Sequence, residues 1–145
     1  MAQAGHHLDI GALSGFVGYW LRKAQIAFYD DFLRRAPAPE LTPGQLALLV
    51  LIDRNPNLSQ SRLSEGIHVD KSTLAISLHR LSRRGLIRRV RSTQDRRQNG
   101  LRLTAEGQAT LERMLDYIPR HERRMTNKLS AKERKTLVML LRKLV

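Results

Sequence analysis

Cysteine is absent from the 145 residues, which excludes disulfides, thiolate metal sites and cysteine-based redox sensing. Aromatic residues make up only 5% of the chain, and all of them except Tyr117 lie between residues 9 and 35. Acids are scarce as well: 13 Asp and Glu stand against 26 Lys and Arg, a formal net charge of +13. Such an excess favours a polyanionic partner, nucleic acid first and an anionic membrane surface second. No stretch approaches ~18 uninterrupted apolar residues, and no cationic segment followed by an apolar run and a cleavage site opens the chain. A cytosolic protein that does not enter a membrane is therefore expected. There is no glycine-rich phosphate loop, nucleophile elbow or paired-carboxylate pattern. The five histidines, His6, His7, His68, His79 and His121, are scattered without metal-ligand spacing. Neither an enzyme, a metal site nor a cofactor is expected. What the chain does have is 41% hydrophobic residues, enough to argue against disorder and for one modest core.

The densest signal lies between Asp70 and Thr104. If residues 70–84 form a helix, Leu74, Leu78 and Leu81 fall on one apolar stripe. The opposite side carries Ser72, Ile76, His79 and Arg83, flanked by Thr73 and Arg80, and no carboxylate. Arg84, Arg88, Arg89, Arg91, Arg96, Arg97 and Arg102 follow, against the single acid Asp95. In L-I-R-R-V-R and G-L-R-L-T the period moves towards alternation, as in a two-stranded hairpin with one covered face, with Ser92–Asn99 as its polar loop. A short helix with such an outer face fits the DNA major groove.

The flanking segments supply the frame. A first helix is expected from about Asp9 to Arg35, with Leu13, Val17, Trp20, Leu21, Ala24 and Phe28 on one stripe and Gly15, Gly18, Tyr19, Arg22, Ile26 and Tyr29 on another. Two such stripes fit a central core helix. They equally fit a helix whose second side faces another subunit or lines a ligand cavity. Gly15 and Gly18 suggest the close approach of another backbone. Ala36-Pro-Ala-Pro39 ends this helix, and Thr42-Pro43-Gly44-Gln45 is a capping box that opens the next, with Leu46, Leu49 and Val50 inward. Asn55-Pro56 stops it. Ser59 can cap a short helix with Leu63 and Ile67 inward, and Asp70 caps the segment described above. Two short helices and a tight turn, then a hairpin, make a winged helix-turn-helix. Thr104 can open a long helix bearing Leu111, Met114, Leu115 and Ile118, interrupted or kinked at Pro119, and Ser130–Glu133 is a second capping box before Leu137, Leu140, Leu141 and Leu144. The winged-helix core is closed without these terminal helices, so the first and last are expected to meet their counterparts in a second chain.

In this order the chain resembles the MarR family of bacterial transcription regulators. The likeness rests on L-T-P-G-Q-L-A-L-L-V-L-I (Leu41–Ile52), L-S-Q-S-R-L-S-E-G-I-H-V-D-K-S-T-L (Leu58–Leu74), R-L-S-R-R-G-L-I-R-R (Arg80–Arg89), D-R-R (Asp95–Arg97) and L-R-L-T-A-E-G (Leu101–Gly107). The resemblance spans essentially the whole chain. It implies a mainly α fold with a small β-hairpin wing, a winged helix-turn-helix over about 42–104, and dimerisation helices at about 9–35 and 105–145. It also implies a homodimer on a pseudo-palindromic double-stranded DNA operator with half-sites ~34–36 Å apart, acting as a repressor relieved by a small ligand. Ser72, Thr73, Ile76, His79 and Arg80 then occupy recognition-helix positions. Ile76 departs from the polar residue common there and suits a thymine methyl, or is an incidentally exposed aliphatic. Lys71, Arg62, Arg83, Arg84 and Arg89 suit phosphates. Asp95 and Arg97 match a wing pair in which the carboxylate orients the arginine for the minor groove, with Arg96 beside them; alone they would be a surface ion pair.

The same resemblance implies an effector cavity between the dimerisation helices and the winged helix. Tyr19, Arg22, Lys23, Ile26 and Tyr29 offer aromatic walls and a cation suited to an aromatic acid or a related acyl thioester of coenzyme A. Arg22 could instead pair with an acid across a dimer interface. The competing readings are a winged-helix RNA binder and a non-specific DNA coater, which would lack operator preference.

Overall fold

The computed structural model describes residues 8–38, 41–67, 69–91 and 99–145, with the backbone but not the side chain of Asn99. Helix α2 (Pro43–Arg54) begins at the expected capping box: Thr42 Oγ1 accepts from the Gln45 amide at 3.2 Å, and Gln45 Oε1 accepts from the Thr42 amide at 3.1 Å. These bonds satisfy two donors that a bare helix end would leave unpaired. After it come β1 (Leu58–Ser59), α3 (Gln60–Ile67), α4 (Lys71–Arg83), β2 (Ile87–Arg91), β3 (Asn99–Leu103), α5 (Ala105–Met125) and α6 (Ala131–Leu141). Ser59, Asp70, Thr104 and Ser130 each accept an amide hydrogen bond at the starts of α3, α4, α5 and α6, as their positions in the sequence predict.

The hairpin has a third member. β1 pairs antiparallel with β3, giving the order β1-β3-β2, with Leu58 opposite Leu101 and Arg89 opposite Leu101 on the other side. The chain reaches β3 by turning sharply at Asn57, whose φ is 64°. Gly100 permits the approach, because a Cβ there would lie 2.7 Å from Asn57 Cα. Gly107 is tighter still: a Cβ would lie 1.9 Å from the Leu86 carbonyl oxygen. That contact seats the start of α5 against the turn after α4, where the Thr104 amide also donates to Leu86 O at 3.1 Å.

The core is enclosed by α2, α4, α5 and the sheet. Leu41, Leu49, Ile52, Leu74, Leu81, Leu111 and Met114 are fully buried, each worth about 1.5–3 kcal/mol against an exposed position. α5 stays helical through Pro119, so of the interruption or kink expected there the interruption does not occur. Proline removes the bond to the Leu115 carbonyl, but Tyr117 and His121 are buried on either side of it and hold both halves to the core.

The N-terminal region departs most from expectation. A 3-10 turn (Gly11–Gly15) comes first, Phe16 is extended, and helix α1 covers Val17–Arg35 rather than starting near Asp9. The Trp20 indole donates to Ser14 O at 2.9 Å and fixes the corner. α1 is not a central core helix: Phe32 is its one buried residue, and α6 has none. Nothing among the described residues comes within 4 Å of a Cβ placed at Gly15 or Gly18, so the backbone approach they suggest is not made by any of them. Between α1 and α6 lies a cavity of about 800 Å³ lined by Val17, Trp20, Leu21, Leu137, Leu140 and Leu141, among others.

Candidate nucleic-acid interface and effector cavity

α4 presents the face that its sequence describes. Leu74, Leu78 and Leu81 turn inward, while Lys71, Ser72, Thr73, Ile76, His79, Arg80 and Arg83 are exposed. Seven side chains of one helix thus share solvent without a carboxylate among them. Arg84 is half-buried at the helix end. Asp70, the N-cap, accepts from the Thr73 amide at 2.9 Å and from the Ser72 hydroxyl through the same oxygen. The Ser72 hydroxyl, then the Thr73 contacts, hold the Asp70 carboxyl well below the usual carboxylate range. At any physiological pH it is ionised and can only accept.

Beside α4 the sheet adds cations. Arg88, Arg89, Arg91 and Arg102 are all exposed, on strands whose apolar residues Ile87 and Leu101 are buried in the core. Two of these arginines are anchored. Arg89 donates to Gln60 Oε1 at 3.3 Å, and Arg102 Nε donates to Asn57 Oδ1 at 2.8 Å. Both partners are neutral, so the full positive charge remains available to an anion. Asp95, Arg96 and Arg97, assigned to the wing tip, lie outside the described residues, as do His6, His7 and His68.

The expected effector residues divide. Arg22, Ile26 and Tyr29 come together with Gln25 and Asp30 around a groove of about 300 Å³. Tyr19 and Lys23 stand away from it and meet each other, with Lys23 Nζ 6.0 Å from the Tyr19 ring centroid. Tyr29 also borders a larger cavity of about 760 Å³ between α1, α2 and α5, where Phe28, Phe32, Leu46, Val50 and His121 contribute to the walls.

Behind that cavity is a polar cluster with no counterpart in the sequence reading. Asp31 of α1 accepts from Arg124 Nε at 3.1 Å, lies 3.0 Å from His121 Nδ1 and pairs with Arg35 at 3.1 Å. Arg124 also donates to the Tyr117 hydroxyl at 3.2 Å. The Arg124 guanidinium is the main reason that the Asp31 carboxyl falls to about 2, with His121 and Arg35 adding to it against the cost of burial. Around the imidazole, Phe28 and Phe32 stand edge-on at 5.6 and 5.7 Å, and Tyr117 stacks at 5.7 Å. One signal for the cluster was present: His121 continues the inward stripe Leu111, Met114, Tyr117 of α5. Its partner Asp31 is 90 residues away, which no helical period reveals.

Three comparisons place this arrangement among known proteins. The sequence profile of the MarR family matches residues 41–98. A Thauera aromatica protein, provisionally named as the transcriptional regulatory protein for the hcr operon, is 37% identical over 92% of this chain and 81% of its own length. Among solved structures, the transcriptional repressor CouR bound to a 23-mer DNA duplex superposes with TM-score 0.86, at 36% identity over 94% of this chain and 97% of that one. The PcaV transcriptional regulator of Streptomyces coelicolor, in complex with its natural ligand, follows with TM-score 0.84, at 32% identity over 94% and 96%. Among the described residues no helix is long and apolar enough to cross a membrane. With the profile, a relative matched over most of its length and winged-helix structures agreeing, this chain belongs to the MarR family, and the relatives just described are named as transcriptional regulators.

Proposed function

We propose that the protein is a ligand-relieved transcriptional repressor that binds a pseudo-palindromic DNA operator as a homodimer. The observation that carries this reading is the carboxylate-free exposed face of α4, Lys71 to Arg83, set beside the cationic strand β2. Ser72, Thr73, Ile76, His79 and Arg80 read base edges, while Lys71, Arg83, Arg84 and Arg89 bind phosphates. Asp95, Arg96 and Arg97 serve the minor groove that flanks each half-site. The bare apolar faces of α1 and α6 support pairing with a second copy, in which each copy offers one α4.

The effector is an aromatic acid or its acyl thioester. CouR also has a structure bound to p-coumaroyl-CoA, and the cavities along α1 of this chain offer aromatic walls and, in the smaller groove, Arg22. Arg22, Ile26 and Tyr29 line its approach, whereas Tyr19 and Lys23 stand outside that groove. Release from DNA requires that the effector bind the DNA-incompetent arrangement better than the competent one, and the effect cannot exceed that difference.

The test is fluorescence anisotropy on duplex DNA from upstream of the protein's own coding region, with random duplex and structured RNA as controls and hydroxycinnamic and hydroxybenzoic acids added. Preference for the upstream duplex by at least about a thousandfold at physiological salt is expected. Equal affinity for all duplexes would make the protein a non-specific coater, and tighter binding to RNA would make it an RNA-binding winged helix. Arg22→Ala should blunt release by the acids. Unaltered release would remove Arg22 from the effector site.

A further inference from the structure

The N-cap bond of α4 has fixed the direction of one hydrogen bond that the helix can offer. The Ser72 hydroxyl has a single proton, and Asp70 is an ionised carboxylate with none to give, so that proton is directed to Asp70. Two lone pairs remain on Ser72 Oγ, and the residue is exposed. To an incoming partner Ser72 is therefore an acceptor only. In the major groove the groups that donate are the exocyclic amines, adenine N6 and cytosine N4, whereas guanine N7 and O6 and thymine O4 accept. The Asp70 carboxylate next to it acts in the same direction, repelling acceptor edges and favouring amines.

One helical turn further on is Ile76, 56% exposed. It carries no polar atom, and the only apolar group on a major-groove edge is the thymine C5-methyl. Residues four apart lie on one face of a helix and ~6 Å apart along its axis, a span of ~two base pairs at 3.4 Å each. We propose that Ser72 and Ile76 read a single short step of each half-site, Ser72 accepting from an adenine or cytosine amine and Ile76 packing on a thymine methyl no more than about two base pairs away. This assignment rests on the DNA reading given above and adds to it which base-edge chemistry the centre of α4 selects. His79 and Arg80, the next turn of the same face, retain their donors and are free to serve guanine or phosphate.

The experiment uses the full-length protein. Duplexes are selected from a random library, and the best site is resynthesised with one base altered at a time: deoxyuridine for thymidine, which removes only the methyl, and deoxynebularine for dA or deoxyzebularine for dC, which remove only the amine. Affinities are compared for the wild type, Ile76→Ala and Ser72→Ala. At one thymine per half-site, loss of the methyl should weaken the wild type about three- to tenfold and Ile76→Ala less than twofold. At a base within about two pairs of it, loss of the amine should weaken the wild type about three- to tenfold more than Ser72→Ala, and the analogue that does so tells adenine from cytosine. Tight, selective binding with no thymine whose methyl separates wild type from Ile76→Ala overturns the assignment of Ile76. If 7-deazaguanine penalises the wild type and spares Ser72→Ala, Ser72 is donating to guanine and its acceptor role is overturned. Failure to select any duplex overturns the DNA reading itself, and this assignment falls with it. Both residues are exposed, and unchanged helical circular dichroism in both variants separates a lost contact from a lost fold.

Discussion

Helices α2, α4 and α5 with the sheet enclose Leu49, Ile52, Leu74, Leu111 and Met114 almost completely, whereas α1 and α6 carry a similar density of large apolar side chains and, Phe32 apart, leave most of them exposed. Trp20 remains 51% exposed and Leu140 50%. Both regions show helical spacing of apolar residues, so periodicity alone makes them equivalent. They differ in closure. In the first, three helices and a sheet meet around one set of side chains. In the second, two helices face a cavity of about 800 Å³ that nothing within the described chain fills. Exposed apolar faces of this size mark interaction surfaces, and the proposed homodimer gives these faces their partner. The two regions therefore do different work. In the proposed homodimer the closed one sets the position of α4 within a copy, and the open one would set the distance between the two copies of α4 on DNA.

The comparison can be broken from either side. The largest effect is expected in the closed region, at Gly107: an alanine Cβ 1.9 Å from the Leu86 carbonyl oxygen must displace the start of α5, at a cost of about 3 kcal/mol or more. Thermal unfolding should show it as a large drop in Tm. A Gly107→Ala protein with unchanged Tm would mean that α5 is not seated there. In the open region, Leu21→Asp combined with Leu140→Asp should leave the circular dichroism of the winged helix intact. The same pair should convert a dimer to a monomer in sedimentation equilibrium and weaken operator binding at least about a hundredfold, because the two half-sites are no longer linked. A dimer that survives this pair of charges would require a different interface.

Much of the closed region was legible because its signals are local. Thr42 with Gln45, Asp70 with Thr73 and Thr104 with Gly107 all act over three residues, and each is seen doing so. The face of α4 followed from the same locality, since a helix cap fixes the phase of everything after it. Strand β1 was not legible. Its pairing with β3 is supported by an Asn57–Arg102 bond spanning 45 residues, and two residues carry no alternation. The corner at Phe16 was not legible, because the apolar spacing from Leu13 to Phe28 reads through it; the extended Phe16 backbone and the Trp20 indole bonded to Ser14 O mark the break. The Asp31 cluster was hidden for the same reason as β1, its members belonging to helices at opposite ends of the sequence.

That cluster joins the two regions, since Asp31 sits on α1 and His121 and Arg124 on α5. An intermediate effect is expected from it. The folded state lowers the Asp31 carboxyl to about 2 from an ordinary value near 4, so its contribution, on the order of 1–2 kcal/mol, is complete above about pH 4 and is lost as the pH falls towards 2. Asp31→Asn should lower stability at neutral pH and lose less between pH 4 and 2 than the wild type does, as chemical denaturation at several pH values would reveal. Parallel acid profiles for the two proteins would contradict the assignment. The smallest effect is expected at Arg89, exposed on β2 and held by neutral Gln60. Arg89→Ala, which removes one phosphate contact from each copy of the dimer, should weaken all duplexes by a similar few-fold and reduce the slope of log affinity against log salt by about 2. A change in base preference instead would make Arg89 a reader.

The central claim, that two copies joined through α1 and α6 present two α4 helices to one duplex, is tested most directly by the mass of the complex. Sedimentation equilibrium with a duplex selected from a random library should give two 16.6 kDa chains per duplex, on a site whose two inverted half-sites are centred about one helical turn apart. Deleting one half-site should cost most of the affinity. A complex of one chain per duplex, or undiminished binding to a single half-site, would contradict the account.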